Sequence, residues 1–262
     1  MPASGEQLPF AKAYQSIQEA IDALATLERE FVSRRDRRAV FVSPYVQVTQ
    51  ELQRRIAANF FHDRAWVTRY LLIFANLYRR ALAAHQNHDF TALPKAWQIA
   101  LNTSAAGAAL VIQDLLLGMN AHINRDLPFA LFEVGLDPQR DLRYRDHIAV
   151  NAILHALTDQ IQGRIADMYA SGLGVLDSLL GNLDESLTSF DMQVAREHAW
   201  NMGVALTNAR TDAERQLLAG AIEHQAAVVA RLILTPNVPA PWLIEALRAV
   251  EQIKPWWECL RK

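Results

Sequence analysis

Apolar residues recur at steps of three and four along almost the whole chain, and strict alternation of apolar and polar residues is scarce. Ile17, Ile21, Leu24 and Leu27 show the pattern within the stretch from Phe10 to Phe31. A chain written this way buries its apolar surface by packing helices, and strands are not needed anywhere. The expected fold class is therefore all-α, a multi-helix bundle with long central helices. With 262 residues, of which 51% are hydrophobic, the chain is long enough for a large core. No charged or Pro/Gly/Ser-rich seam divides it, so a single domain over 1–262 is expected. Within it, 1–42 would form an N-terminal helix and turn, 43–234 the helical core, and 235–262 a C-terminal loop and helix.

Punctuation sets the expected helix limits. Ser43-Pro44 reads as an N-cap followed by proline at the first helical position, opening a helix through about Ala58. Asp63 is placed to cap the next, which runs through Tyr70, Phe74 and Tyr78 to about His85. The stretch from Pro94 to Asp126 reads as a long, largely buried helix with possible breaks at Gly107 or Gly118, and Pro128 stops or kinks it. Further helices are expected from Tyr144 to Tyr169, Ser186 to Leu206, Thr211 to Leu234, and from Trp242 onward, with a short Gly-punctuated segment from Leu173 to Gly181.

Charge and cysteine content exclude several classes of function. The formal net charge is −2. The one dense basic run, Arg34, Arg35, Arg37 and Arg38, has no neighbouring aromatics to stack bases, so it reads as a solvated turn and nucleic-acid binding is not expected. The longest apolar run, Ala105 to Ile112, is too short to span a bilayer. The first fifteen residues lack the basic and apolar regions of a secretory signal, which makes the cytoplasm the expected compartment. A single cysteine, Cys259, leaves any metal to His, Asp or Glu ligands.

The informative residues are polar ones set where the pattern asks for apolar ones. In GMNAHINRDLP, Gly118 to Pro128, His122 and Asp126 are four apart and share one helical face, Gly118 leaves space above His122, and Asn120 and Asn124 lie alongside. Such a pair holds a metal ion or couples a base to an orienting carboxylate. A second stripe, His147, Asn151, His155 and Asp159, repeats the spacing on a later helix. Two antiparallel helices would bring the stripes together, with Arg196 in AREHAW as a third contributor. Arg196 and Glu197 together read as a salt-bridged or solvated pair, and Trp66, Trp97 and Trp200 as core aromatics.

Familiar catalytic templates are absent: there is no P-loop, no G-x-G-x-x-G, no G-x-S-x-G and no H-E-x-x-H. The doublets His62-Asp63 and His88-Asp89 resemble those of HD phosphohydrolases, although both aspartates sit where helix caps belong. His-x-x-x-Asp-x-Pro is similar to the zinc-ligand pair of the helical phospholipase C and nuclease group, without that group's further histidines. More specifically, PKAWQIAL, LLLGMNAHINRDLPFAL, RDHIAVNAIL and AREHAW resemble a bacterial family of unknown function marked by a GMNAHIN-x-DL core, over roughly residues 66 to 206. The resemblance implies that Asn120, His122, Asp126, Asp146, Asn151, Asp159, Arg196 and Trp200 belong to one site.

Two functions fit these residues. One is a metal-assisted hydrolase acting on a small molecule: His122, Asp126 and Asp159 hold a divalent ion, Asp146 or His155 activates water, and Asn120, Asn151 and Arg196 bind substrate, Arg196 through an anionic group. The other is a non-catalytic binding or interaction protein, in which the same residues form a buried network that fixes helix register. Oligomeric state is not legible.

Overall fold

The structure, a computed structural model, describes residues 10–170, 192–235, 245, 247–251 and 256–259, and of 156–170 and 258–259 the backbone alone. Among these residues there is no strand. Ser16 opens α1, Ile17–Ser33, by accepting the Glu19 N–H. The second helix, α2, spans Ala39–Ala57, five residues ahead of the expected start, and carries Pro44 inside it. Ala39, Val40 and Val42 are buried, and that burial outweighs the backbone bond proline cannot donate. Ser43 does not cap; its hydroxyl ties α2 to α1 through Glu28, at 2.5 Å.

Asp63 caps α3, Arg64–Gln86, as its spacing predicts, accepting the Trp66 N–H at 2.9 Å. The expected helix from Pro94 to Asp126 is two. The first is α4, Lys95–Ala106, which ends at Gly107 with a left-handed φ of 59°. The second runs unbroken from Val111 to Val134 as α5, Val111–Asn120, a π-helical turn, Ala121–Asp126, and α6, Leu127–Val134.

Neither Gly118 nor Pro128 interrupts that second helix. Pro128 has no N–H for the Asn124 carbonyl, and the wider turn just before it, where the Leu127 N–H bonds to the His122 carbonyl five residues back, absorbs the mismatch. The space above Gly118 is filled: a Cβ there would meet the Phe41 ring at 2.4 Å.

Three long helices complete the frame: α7, Arg140–Ala170; α8, Met192–Asn208; and α9, Asp212–Leu234, which opens on a Thr211/Glu214 capping box. A short α10, Trp256–Cys259, follows. The expected segment from Leu173 to Gly181, the start of α8 near Ser186 and the start of a helix at Trp242 lie outside the described residues. The α5–α6 rod is the hub of the fold, packed by α2, α3, α4, α8 and α9. Its buried side chains belong to two apolar clusters, one with α2, α4 and the C-terminal segment, the other with α3, α7 and α8.

The basic run is a solvated turn only in part: Arg34 and Arg35 are exposed, while Arg37 and Arg38 are partly buried. Arg37 reaches inward to ion-pair with Asp114 at 2.7 Å and Glu251 at 3.1 Å, while Arg35 lies over the Trp257 ring and Arg38 pairs with Asp36. Burial pushes the Asp114 carboxyl up to about 6, against the opposing pull of Arg37.

Among the described residues α9 alone is long and apolar enough to cross a membrane. Yet its inner face is tied into the fold: Glu223 pairs with Arg125, and the Ala226 carbonyl accepts from Asn120. These polar ties suit a packed helix better than a span.

Candidate functional site

Four helical segments converge at His122, its own π turn among them. The π turn carries it into a box made by Phe41 and Tyr45 of α2, Phe74 and Tyr78 of α3, and Trp97 of α4. Phe74 lies flat on the imidazole, ring centres 3.5 Å apart and planes within 10°, and Tyr45 meets it edge-on at 4.6 Å. The sequence prepares this arrangement. Trp66, Tyr70, Phe74 and Tyr78 follow one another at steps of four, so α3 presents a continuous aromatic stripe, and Trp66, Tyr70 and Phe74 stack successively along it.

Asp126 is fully buried and receives three donors. Trp97 Nε1–H donates to Oδ2 at 2.7 Å, His122 Nδ1 sits 3.3 Å from the same oxygen, and Arg125 Nη1–H donates to Oδ1 at 2.9 Å. Because the carboxylate only accepts, the imidazole proton belongs on Nδ1. That leaves the Nε2 lone pair of a residue 4% exposed facing no hydrogen-bond partner among the described residues. Burial pushes the His122 pKa down, with the Asp126 bond and charge opposing, so the ring is neutral at pH 7 and Nε2 is a free acceptor. Arg125 is in turn held by Glu223 of α9 at 2.6 Å. Burial also keeps the Tyr45 and Tyr78 hydroxyls protonated.

A second polar centre lies where α7 and α8 meet α3. Arg196, 3% exposed, donates from Nε to Asn151 Oδ1 at 2.6 Å and from Nη2 to the His147 carbonyl at 2.8 Å. His147 Nε2 lies 3.2 Å from the Arg196 carbonyl, and its ring is 5.1 Å from Trp200, four residues on from Arg196. Burial first, then the arginine charge, holds the His147 pKa well below the usual histidine value. Arg196 does not pair with Glu197, which instead accepts from the Tyr144 hydroxyl at 2.8 Å.

The residues expected to share one site are thus divided. Asp146 is buried at the start of α3, where it accepts the His62 and Asp63 backbone N–H groups at 2.8 and 2.7 Å and faces His62 Nδ1 at 3.0 Å. Phe74, the face on which His122 stacks, is eleven residues farther along α3, roughly 16 Å at the helical rise. The aspartate anchors the α7 start to the α3 start, remote from the imidazole. Asn120 is spent as well: it donates to the Ala226 carbonyl at 2.9 Å and accepts from Asn124 at 2.9 Å, which fixes the register of the rod against α9.

His155 is exposed on α7, one turn beyond Asn151, and the Asp159 side chain lies outside the described residues. The principal partners of α7 are α2, α8 and α10, not the π turn, so the two stripes are not the facing pair that a bundle-core metal site requires. Among the described residues no group of three His, Cys, Asp or Glu side chains is gathered as a metal would need.

Sequence reasoning missed Phe74, Tyr45, Tyr70 and the bond that Trp97 makes to Asp126. The four-residue aromatic period on α3 was the available signal for two of them. Tyr45 and Trp97 sit on other helices, and nothing local marks them.

Searches of curated proteins and of solved structures find no match. A family model described as a family of unknown function, DUF5995, matches residues 17–236, which include both polar centres and every helix packed around the rod, and the chain belongs to that family.

Proposed function

We propose that this protein is an acid–base enzyme, a hydrolase of a small molecule, with His122 as its general base and Asp126 as the carboxylate that orients it. The observation that carries this reading is the unpartnered Nε2 of a buried, neutral imidazole whose other nitrogen is held by a carboxylate. A proton acceptor at neutral pH has these properties: a lone pair aimed at a defined place, a fixed tautomer, and a countercharge ready to stabilise the imidazolium. The π turn supports it, since such turns concentrate at functional sites. Phe74, which covers the ring and is itself only partly buried, is the side chain that moves when substrate reaches Nε2.

In this reading both Asp126 oxygens are occupied by donors, so it positions the base and does not ligate a cation. The test is turnover of chromogenic carboxylic and phosphoric esters by wild type and His122→Gln, with and without a chelator. Turnover that falls at least about a hundredfold in the variant, at an unchanged melting temperature, is the expected result. Equal turnover in both proteins removes the general base. Loss on chelation returns a divalent ion to the mechanism. No turnover by either, with a large loss of stability in His122→Gln, leaves the binding or interaction protein with a structural network.

A further inference from the structure

A second site is defined by charge. The Arg196 guanidinium is buried, yet among the described residues it has no carboxylate partner: its acceptors are the Asn151 amide oxygen and the His147 carbonyl, with His147 Nδ1 at 3.4 Å. These neutral groups take the Nε and Nη2 side of the fork and leave the Nη1 end. The Tyr70 hydroxyl lies near the guanidinium, outside hydrogen-bonding geometry, in a residue 2% exposed, and among the described residues its proton has no partner. A buried cation without a countercharge is costly, and neutral acceptors compensate it only in part. A water would satisfy the Tyr70 hydroxyl and leave the charge.

We infer that Arg196 and Tyr70 bind the carboxylate of a small organic acid, one oxygen accepting from Nη1–H and from the Tyr70 O–H. One cation with one side of its fork already filled matches a single negative charge. A phosphate dianion would bring a second charge and more acceptor lone pairs than the three remaining donors, two on Nη1 and one on Tyr70, satisfy. The aromatic faces of Trp200, Tyr144 and His147, with ring centres 5.0 and 5.1 Å apart, stand beside the arginine to pack the apolar part of the acid. Tyr70 is one turn of α3 from Phe74, so this site and the imidazole lie along one aromatic stripe and are separate in their residues.

The experiment is titration of the full chain with acetate, propionate, inorganic phosphate and chloride at matched ionic strength and pH, read by melting temperature and calorimetry. Acetate or propionate should raise the melting temperature saturably. Binding should weaken at least about tenfold in Tyr70→Phe, which keeps the cation, and vanish in Arg196→Gln. Should Arg196→Gln fail to fold, Tyr70→Phe carries the comparison alone. Equal stabilisation by chloride, saturation by phosphate without carboxylates, or undiminished binding in Tyr70→Phe overturns the assignment. His122→Gln should bind acetate as wild type does, so failure here leaves the imidazole reading standing and its failure leaves this one.

Discussion

Replacing Asp126 by asparagine changes few atoms and unbalances the whole centre. The carboxylate serves Trp97 Nε1–H, His122 Nδ1–H and Arg125 Nη1–H. An asparagine oxygen still accepts from Trp97, but its amide NH2 then faces the Arg125 guanidinium, donor against donor. Arg125 keeps Glu223 and partial exposure, so the cost sits below the 3 to 5 kcal/mol of a stranded buried charge, at roughly 2 to 3 kcal/mol. Asp126→Ala also leaves the indole and imidazole N–H groups without acceptors, at about 1 to 3 kcal/mol each, so its loss should be roughly 4 to 9 kcal/mol. Against the 5 to 15 kcal/mol typical of a domain, alanine brings the protein near its limit while asparagine leaves it folded. Urea denaturation measures both variants. Nitrogen NMR of the imidazole in Asp126→Asn reads the second consequence: with the Asp126 charge gone the His122 pKa falls further, while the amide oxygen that accepts from Trp97 still accepts from Nδ1–H and keeps the tautomer. An asparagine variant within 1 kcal/mol of wild type, with the His122 pKa unchanged, would refute the claim that the Asp126 charge supports the base.

Two further outcomes follow from buried groups elsewhere. Gly118→Ala should lower stability by up to about 2 kcal/mol, although alanine favours the helix by about 1 kcal/mol, because its Cβ drives Phe41 out of the box around His122; a raised melting temperature would show that Phe41 yields freely. The Asp114 pKa is about 6 in the folded chain, above its ordinary 3.8, so its contribution to stability is fully present below 3.8 and is lost as pH rises through 6. The stability difference between wild type and Asp114→Asn, from urea denaturation, should shift in favour of wild type by about 1.4 kcal/mol between pH 7 and pH 5, and an identical difference at both pH values would contradict it.

The sequence by itself determined the all-helical fold and the pairing of His122 with Asp126 inside the Gly118 to Pro128 stretch. Both are written in local spacing: apolar residues at three and four specify which surface a helix buries, and a four-residue step places His122 over Asp126. Caps such as Asp63 and Thr211 were equally legible, since side chain and partner N–H lie within three residues. Long-range balances were not. The helix carrying Pro44 began early because residues ahead of the proline had a core to enter. The rod passed through Pro128 because a π turn could absorb the missing donor between packed neighbours. Only the tertiary structure decided which polar residues share a centre. Periodicity along one helix carries no information about the rotation or partners of another, so His122 met Phe74 and Trp97, Asp146 went to the start of α3, and Arg196 was buried against Asn151 and the His147 carbonyl.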